Sequence, residues 1–237
     1  MSLICEGVAN SSLRTDRSVY HWSLDRSVWY RQGVPEPTAE RARATAREKL
    51  LAAADELFYA EGIHTVGIDR VIERAGVAKA SLYSAFGSKE ELVRAYLLGR
   101  HERRQRRLTA VVDAQDGPRA KLLGIFDYLG DFHRQSTFRG CPFVNASAES
   151  PRGGAVEEVS DLTRDWVRSL VHGLVQQLGV ADPEPLTDQM ILLYDGCTVA
   201  ARLDRNPAAA RTARAAAEAL IDAATLGVAA VSAGVSK

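Results

Sequence analysis

The residues best suited to chemistry form a short polar group, Lys79, Ala80, Ser81, Tyr83 and Ser84, followed by Lys89. Two ammonium groups, three hydroxyls and a methyl side chain at this spacing suit contact with a polyanion. Cations meet phosphate oxygens, and small side chains let hydroxyls approach base edges in a major groove. That chemistry is recognition, with no bond made or broken. Catalytic alternatives find no support. There is no GxSxG, no HExxH and no paired ExxH, and His133 and His172 have no evident partners. Three cysteines without a CxxC pair or a Cys/His cluster argue against a disulfide scaffold and a zinc site. Cys141 and Cys197 read as ordinary small residues, Arg139 being weak support for a reactive thiol at Cys141. No metal and no cofactor is implied.

The polar group needs a scaffold that projects it. In GIDRVIERAGVAKASLYSAF (Gly67 to Phe86), the periodicity predicts two short helices meeting at a tight turn, Gly76-Val77. Ile68, Val71 and Ile72 of the first and Leu82 and Phe86 of the second face inward, as a helix-turn-helix requires. Upstream, Arg43 to Glu61 reads as a helix burying Leu50, Leu51, Ala54, Leu57 and Phe58, with Gly62 as its stop. Downstream, Ser88-Lys89-Glu90-Glu91 reads as a capping box with reciprocal bonds. It opens a long helix into the run Arg100 to Arg107, which reads as a solvated helix face leaving the first domain.

The remainder is also helical. Pro118 opens a segment with Leu122, Ile125, Phe126, Leu129 and Phe132; a turn-rich loop at Arg139-Gly140-Cys141-Pro142 precedes Phe143 to Ala148. A break at Ser150 to Gly154 leads to an amphipathic helix, Val156 to Leu178. Asp182-Pro183 caps the next, and Asn206-Pro207, read as N-cap and first helical residue, opens a final alanine-rich helix. Small residues there permit close helix packing. Its most apolar stretch, Ala215 to Ala230, is interrupted by Glu218 and Asp222, which argues against a membrane span. With no signal-peptide pattern in Met1 to Thr15, a cytoplasmic protein is expected.

At 237 residues the chain is long enough for one or two packed domains, and its net charge is zero. The charge is uneven: Ala39 to Leu108 carries 14 basic and 10 acidic residues, whereas Thr109 to Lys237 carries 12 basic and 16 acidic. A basic first half joined to an acidic second half suits a protein that holds nucleic acid at one end.

From Gly62 to Leu97 the chain resembles the TetR/AcrR DNA-binding domain, whose A-G-V, S/T-L-Y-x-x-F and S-K-E-x-L parts all stand here at the right spacing. The similarity is close over about Thr45 to Leu97. Gly140 to Glu149, GCPFVNASAE, is similar to a segment of the effector domain of many members. The resemblance implies an all-α fold, with a three-helix helix-turn-helix domain at 39–98 and a ligand-binding and dimerisation bundle at 99–237. It implies that Lys79, Ala80, Ser81, Tyr83, Ser84 and Lys89 contact DNA; Ser84-Ala85 departs from the bulkier pair often found there. It also implies a pocket in the second domain for a small-molecule effector, with candidate liners Phe126, Phe132, His133, Phe138, Phe143, Asn145, Trp166, Tyr194 and Asp195. The expected function is a dimeric repressor released from a palindromic, double-stranded DNA operator. An activator or a global regulator without an effector is the alternative, and the expected partners are DNA, the effector and a second copy.

Residues 1–38 lack helical or strand periodicity and read as a disordered extension ending in a Gly33 to Pro37 linker. They contain a repeat: Asp16-Arg17-Ser18-Val19-Tyr20 recurs as Asp25-Arg26-Ser27-Val28-Trp29. Asp-Arg-Ser-Val can be encoded as GAC-CGA-TCG-GTC, which is its own reverse complement. The repeat therefore reads as operator DNA translated into protein, with translation expected to begin nearer Val34.

Overall fold

A computed structural model of the chain describes residues 44–234; the extension expected over 1–38, its repeat included, lies outside the described residues. Nine helices and no strand are found among the described residues. Helix α1 (Ala46–Glu61) begins three residues later than the periodicity suggested, because Thr45 and Glu48 exchange reciprocal side-chain-to-backbone bonds that define the boundary. Helices α2 (Ile68–Ala75) and α3 (Lys79–Phe86) meet at Gly76, whose φ of 63° is left-handed and closes the turn through its N–H to Ile72 and Glu73. A side chain at Gly76 would be strained there.

Helix α4 (Lys89–Asp113) starts at Ser88, whose hydroxyl accepts from the Glu91 N–H. The return bond expected of Glu91 is not formed; its carboxylate pairs with Arg94 instead. The helix then passes residues 98 and 99 without a break and continues into the second half. Helices α5 (Gly117–His133) and α6 (Pro142–Ala148) follow, then α7 (Ala155–Gln176), α8 (Pro183–Leu203) and α9 (Ala209–Gly234). Asn206 and Pro207 precede α9 by a turn; the Asn206 side chain accepts from the Ala208 N–H, so Pro207 is not the first helical residue.

Two hydrophobic cores result. The first gathers Leu50, Ala54, Phe58, Val66, Val71, Leu82, Leu92 and Leu97, with Phe58 set edge-on to Tyr96 at 5.6 Å. Phe143, Ala146, Val156 and Val159 enter this same core from α6 and α7, so it draws on residues far beyond the helix-turn-helix. Gly62, at φ 96°, permits one such close approach: a Cβ there would lie 2.5 Å from Glu149 Oε1 and 2.8 Å from Oε2, the oxygen that accepts from the His64 N–H. The second core is built by α5, α7, α8 and α9 around Ile125, Phe126, Val171, Val175, Met190, Ala217 and Ile221.

Candidate nucleic-acid interface and the cavity behind it

Helix α3 buries Leu82 and Phe86 and turns its other side outward. Ala80, Ser84 and Tyr83 are exposed, Tyr83 to 47%, and Ser81 is half-buried. Lys79 is exposed and paired with Asp69 of α2 at 2.8 Å, which raises its pKa. Water screens an exposed pair of this kind, so the ammonium is readily available to another anion. Ala80, Ser81 and Ser84 share a shallow open groove with Thr45, Ala46 and Arg47 at the start of α1. The sequence reading missed those three; the Thr45-x-x-Glu48 capping signature was the available signal.

Lys89 stands apart from this surface. It is half-buried in a different groove, lined also by Ile63, His64, Val93 and Glu149. Burial lowers its pKa, with the Glu149 carboxylate pulling the other way. Its ammonium therefore has a carboxylate neighbour within the fold as well as the free amides at the α4 start.

Behind the helix-turn-helix, a cavity of about 220 Å³ lies among α4, α5, α8 and the turn into α6. Of the residues expected to line a pocket, Phe132, Asn145, Tyr194 and Asp195 are in its wall. Phe143 and Tyr194 line a neighbouring cavity of about 300 Å³, which shares Arg104, Cys141 and Val144 with the first. Phe126, His133, Phe138 and Trp166 are in neither wall. Phe126 is committed to the second core, Trp166 packs edge-on against His101, and His133 is buried against Phe132 and Phe138.

His133 Nε2 lies 3.3 Å from the Thr198 hydroxyl, which also reaches the Tyr194 carbonyl, while His133 Nδ1 has no hydrogen-bond partner among the described residues. Burial lowers its pKa to about 4, keeping the ring neutral. Burial likewise pushes the Cys197 thiol up to about 11 and the Tyr194 hydroxyl up to about 12, the latter opposed by Arg104.

The run Arg100 to Arg107 departs from its reading as a solvated face. Arg100, Arg103, Arg104 and Arg107 all line the first cavity. Arg100 grips Asp55 of α1 with Nε at 2.7 Å and Nη2 at 3.0 Å, Arg103 pairs with the same carboxylate, and Arg100 lies over the Tyr59 ring at 4.0 Å. Tyr59 in turn donates to the Gly140 carbonyl and accepts from the Arg139 N–H. The cavity rim and α1 of the helix-turn-helix are thus tied by the same side chains. Sequence periodicity marks which residues of a helix share a face, but an arginine facing a cavity and one facing water look alike until the neighbouring helices are placed.

Comparison with known proteins agrees with this architecture. Residues 50–96 match the family described as bacterial regulatory proteins, tetR family. The chain is 32% identical to SCO4454, a TetR-family transcriptional regulator from Streptomyces coelicolor, covering 82% of this chain and 98% of that one with a TM-score of 0.73. It is 36% identical over 104 residues to the transcriptional activator FasR of Mycolicibacterium smegmatis, a match spanning 42% of this chain and only 45% of FasR. It is 30% identical over 129 residues to the transcriptional repressor NemR of Escherichia coli, spanning 54% of this chain and 60% of NemR. No described helix is long and apolar enough to cross a membrane, and no described group of His, Cys, Asp and Glu is arranged to hold a metal. The all-helical fold, its exposed second helix-turn-helix element and these relatives together give the assignment: the chain belongs to the TetR family of transcriptional regulators and is not an enzyme.

Proposed function

We propose that this regulator is a cytoplasmic dimeric repressor that holds a palindromic operator with two copies of α3 and is released when a small molecule fills the cavity beside Tyr194. The observation carrying this reading is α4, one helix that follows α3 after two residues and lines the cavity with four arginines. A ligand preferring one setting of α4 shifts the population of α3 spacings, as a release mechanism needs. On this reading residues up to 98 serve DNA and the rest serve effector and dimer. Lys79, Ala80, Ser81, Tyr83 and Ser84 form the DNA surface, with Lys89 as a phosphate contact.

The dimer has its own support. Leu192, Val199 and Leu203 are exposed along one face of α8, and Ala215, Ala219, Ala223 and Leu226 are exposed along α9. Such an apolar face, unusual on a monomer, suits a two-fold four-helix contact that sets recognition helices about one DNA turn, roughly 34 Å, apart. Ala219→Lys, at an exposed position, should yield a monomer that binds DNA poorly. A wild-type chain sedimenting as a monomer at micromolar concentration overturns the dimer.

FasR, the relative named an activator, favours a second reading in which bound protein raises transcription. A reporter driven by the gene's own upstream DNA separates the two. Deleting the regulator raises expression if it represses and lowers it if it activates, and a gel shift with the same DNA tests binding itself. If the protein does not shift that DNA and leaves the reporter unchanged, both readings of autoregulation fall.

A further inference from the structure

We propose that the cavity takes an amphipathic anion, whose charged group sits against Arg104 and competes with Asp55 for Arg100 and Arg103. This rests on the cavity being the effector site. Five arginines line it (Arg100, Arg103, Arg104, Arg107 and Arg202) against one carboxylate, Asp195, which is already engaged by Arg164 at 2.8 Å. Arg104 pairs with no carboxylate among the described residues; its guanidinium lies 4.9 Å over the Phe143 ring and 3.6 Å from Cys141 Sγ. A half-buried guanidinium with so little compensation favours an incoming anion, because charge-assisted bonds strengthen where water is excluded. The rest of the wall is largely apolar, with Leu129, Phe132, Pro142 and Val144 beside Asn145, Tyr194 and Thr198, so the ligand needs a hydrophobic body. Its anion also offers Arg100 and Arg103 an alternative to Asp55, which loosens α1 from α4.

The probe pair is 8-anilinonaphthalene-1-sulfonate and N-phenyl-1-naphthylamine, which share a ring system and differ in the sulfonate. The full chain should bind the sulfonate about tenfold or more tightly, the effect of one charge-assisted contact. Arg104→Gln should erase the preference, Arg104→Lys should retain part of it, and Asp55→Asn should tighten sulfonate binding by freeing two arginines. Equal affinity for the two probes, or a preference that survives Arg104→Gln, overturns the proposal. Either result leaves the effector site itself standing if both probes still weaken DNA binding.

A different observation carries a second inference. From the repeated peptide, we infer that the DNA encoding Thr15 to Trp29 contains two operators for this protein, each reading AGACCGATCGGTCT. This rests on the regulator acting as a two-fold dimer. Asp and Val codons can mirror each other, as can Arg and Ser codons, and both copies of Asp-Arg-Ser-Val meet that condition. The flanks extend the symmetry: Thr15 and Leu24 permit a final A, and Tyr20 and Trp29 codons begin with T. Nothing in protein chemistry requires this peptide twice, whereas repeated operators require it if they are translated. The arms AGACC and GGTCT are centred about nine base pairs apart, close to the one-turn spacing of a helix-turn-helix dimer. The nine-residue offset places the copies about 27 base pairs apart, roughly 2.6 turns. Two dimers would then occupy nearly opposite faces of the duplex and avoid each other.

The gene's own nucleotides give the first test: of the several hundred synonymous codings of Asp-Arg-Ser-Val, very few are self-complementary. Non-palindromic codons at both copies end the inference. The second is fluorescence anisotropy of the full chain on a duplex bearing AGACCGATCGGTCT against a shuffled duplex. Specific binding should be about 10³-fold tighter or more at physiological salt, and equal affinity overturns the inference. Selection from random DNA separates this failure from failure of the regulator reading: an unrelated selected site sinks only the operator, and no selected site sinks both.

Discussion

The recognition surface and the cavity use the same residue types under opposite solvent conditions. On α3, Ser84 and Tyr83 stand in water, and Lys79 has one weak exposed ion pair, so polar groups await a partner there at little cost. Behind it, Arg104 lies over the Phe143 ring, and burial raises the Tyr194 pKa and lowers that of His133, keeping both neutral. A binding face for a large polyanion can be kept open by solvent. A binding face for a small molecule has to be kept open by packing. The first should therefore tolerate substitution in folding and lose DNA, and the second should respond in stability as well.

The sharpest break of this contrast is Leu82→Ala. Leu82 is fully buried beneath the exposed face of α3. Its truncation should cost about 2–5 kcal/mol, seen as a lower urea midpoint, while Tyr83→Ala beside it should leave that midpoint within about 0.5 kcal/mol and weaken DNA binding. Equal losses from the two would show that α3 does not separate a packing side from a binding side. Next comes pH. The folded His133 pKa of about 4 lies below its ordinary value of 6.5, so protonation favours the unfolded chain. Its contribution is present above pH 6.5 and is lost as pH falls toward 4, by up to about 3 kcal/mol. His133→Gln should flatten that part of a stability-against-pH curve, and an unchanged curve would place His133 in water.

A smaller effect tests the DNA side. Ser81→Ala should change base preference by about 1–3 kcal/mol, whereas Lys89→Ala should weaken binding to all sequences alike and lower the salt slope by about one. If the Lys89 variant keeps both affinity and slope, the phosphate role is overturned. The smallest is Thr45→Ala, which removes the α1 cap for about 1 kcal/mol. Arg47→Ala in the same groove should instead act on DNA affinity with little change in melting temperature.

What the sequence disclosed follows the same division. The α2-turn-α3 unit is specified by residues within twenty positions of one another, Gly76 and Leu82 among them, so spacing alone revealed it. Most helices of the second half were legible too, since Pro118, Asp182 and the Ser150 to Gly154 break mark their ends. The cavity was legible only in part. Tyr194, Asn145 and Phe132 could be named as inward aromatic or polar residues, but so could Phe126 and Trp166, which pack elsewhere. The arginines facing the cavity are not legible locally, because Asp55, the partner of Arg100 and Arg103, lies 45 residues or more away and no local pattern links them.

The unbroken course of α4 has a mechanical consequence. From Lys89 to Arg104 the helix spans about 22 Å at 1.5 Å per residue. A rod of that length pivoting by about 8° at its arginine end would carry its other end sideways by about 3 Å, close to the rise of one base pair along DNA. A rotation of about 8° would therefore suffice to put α3 one rung out of step with its half-site.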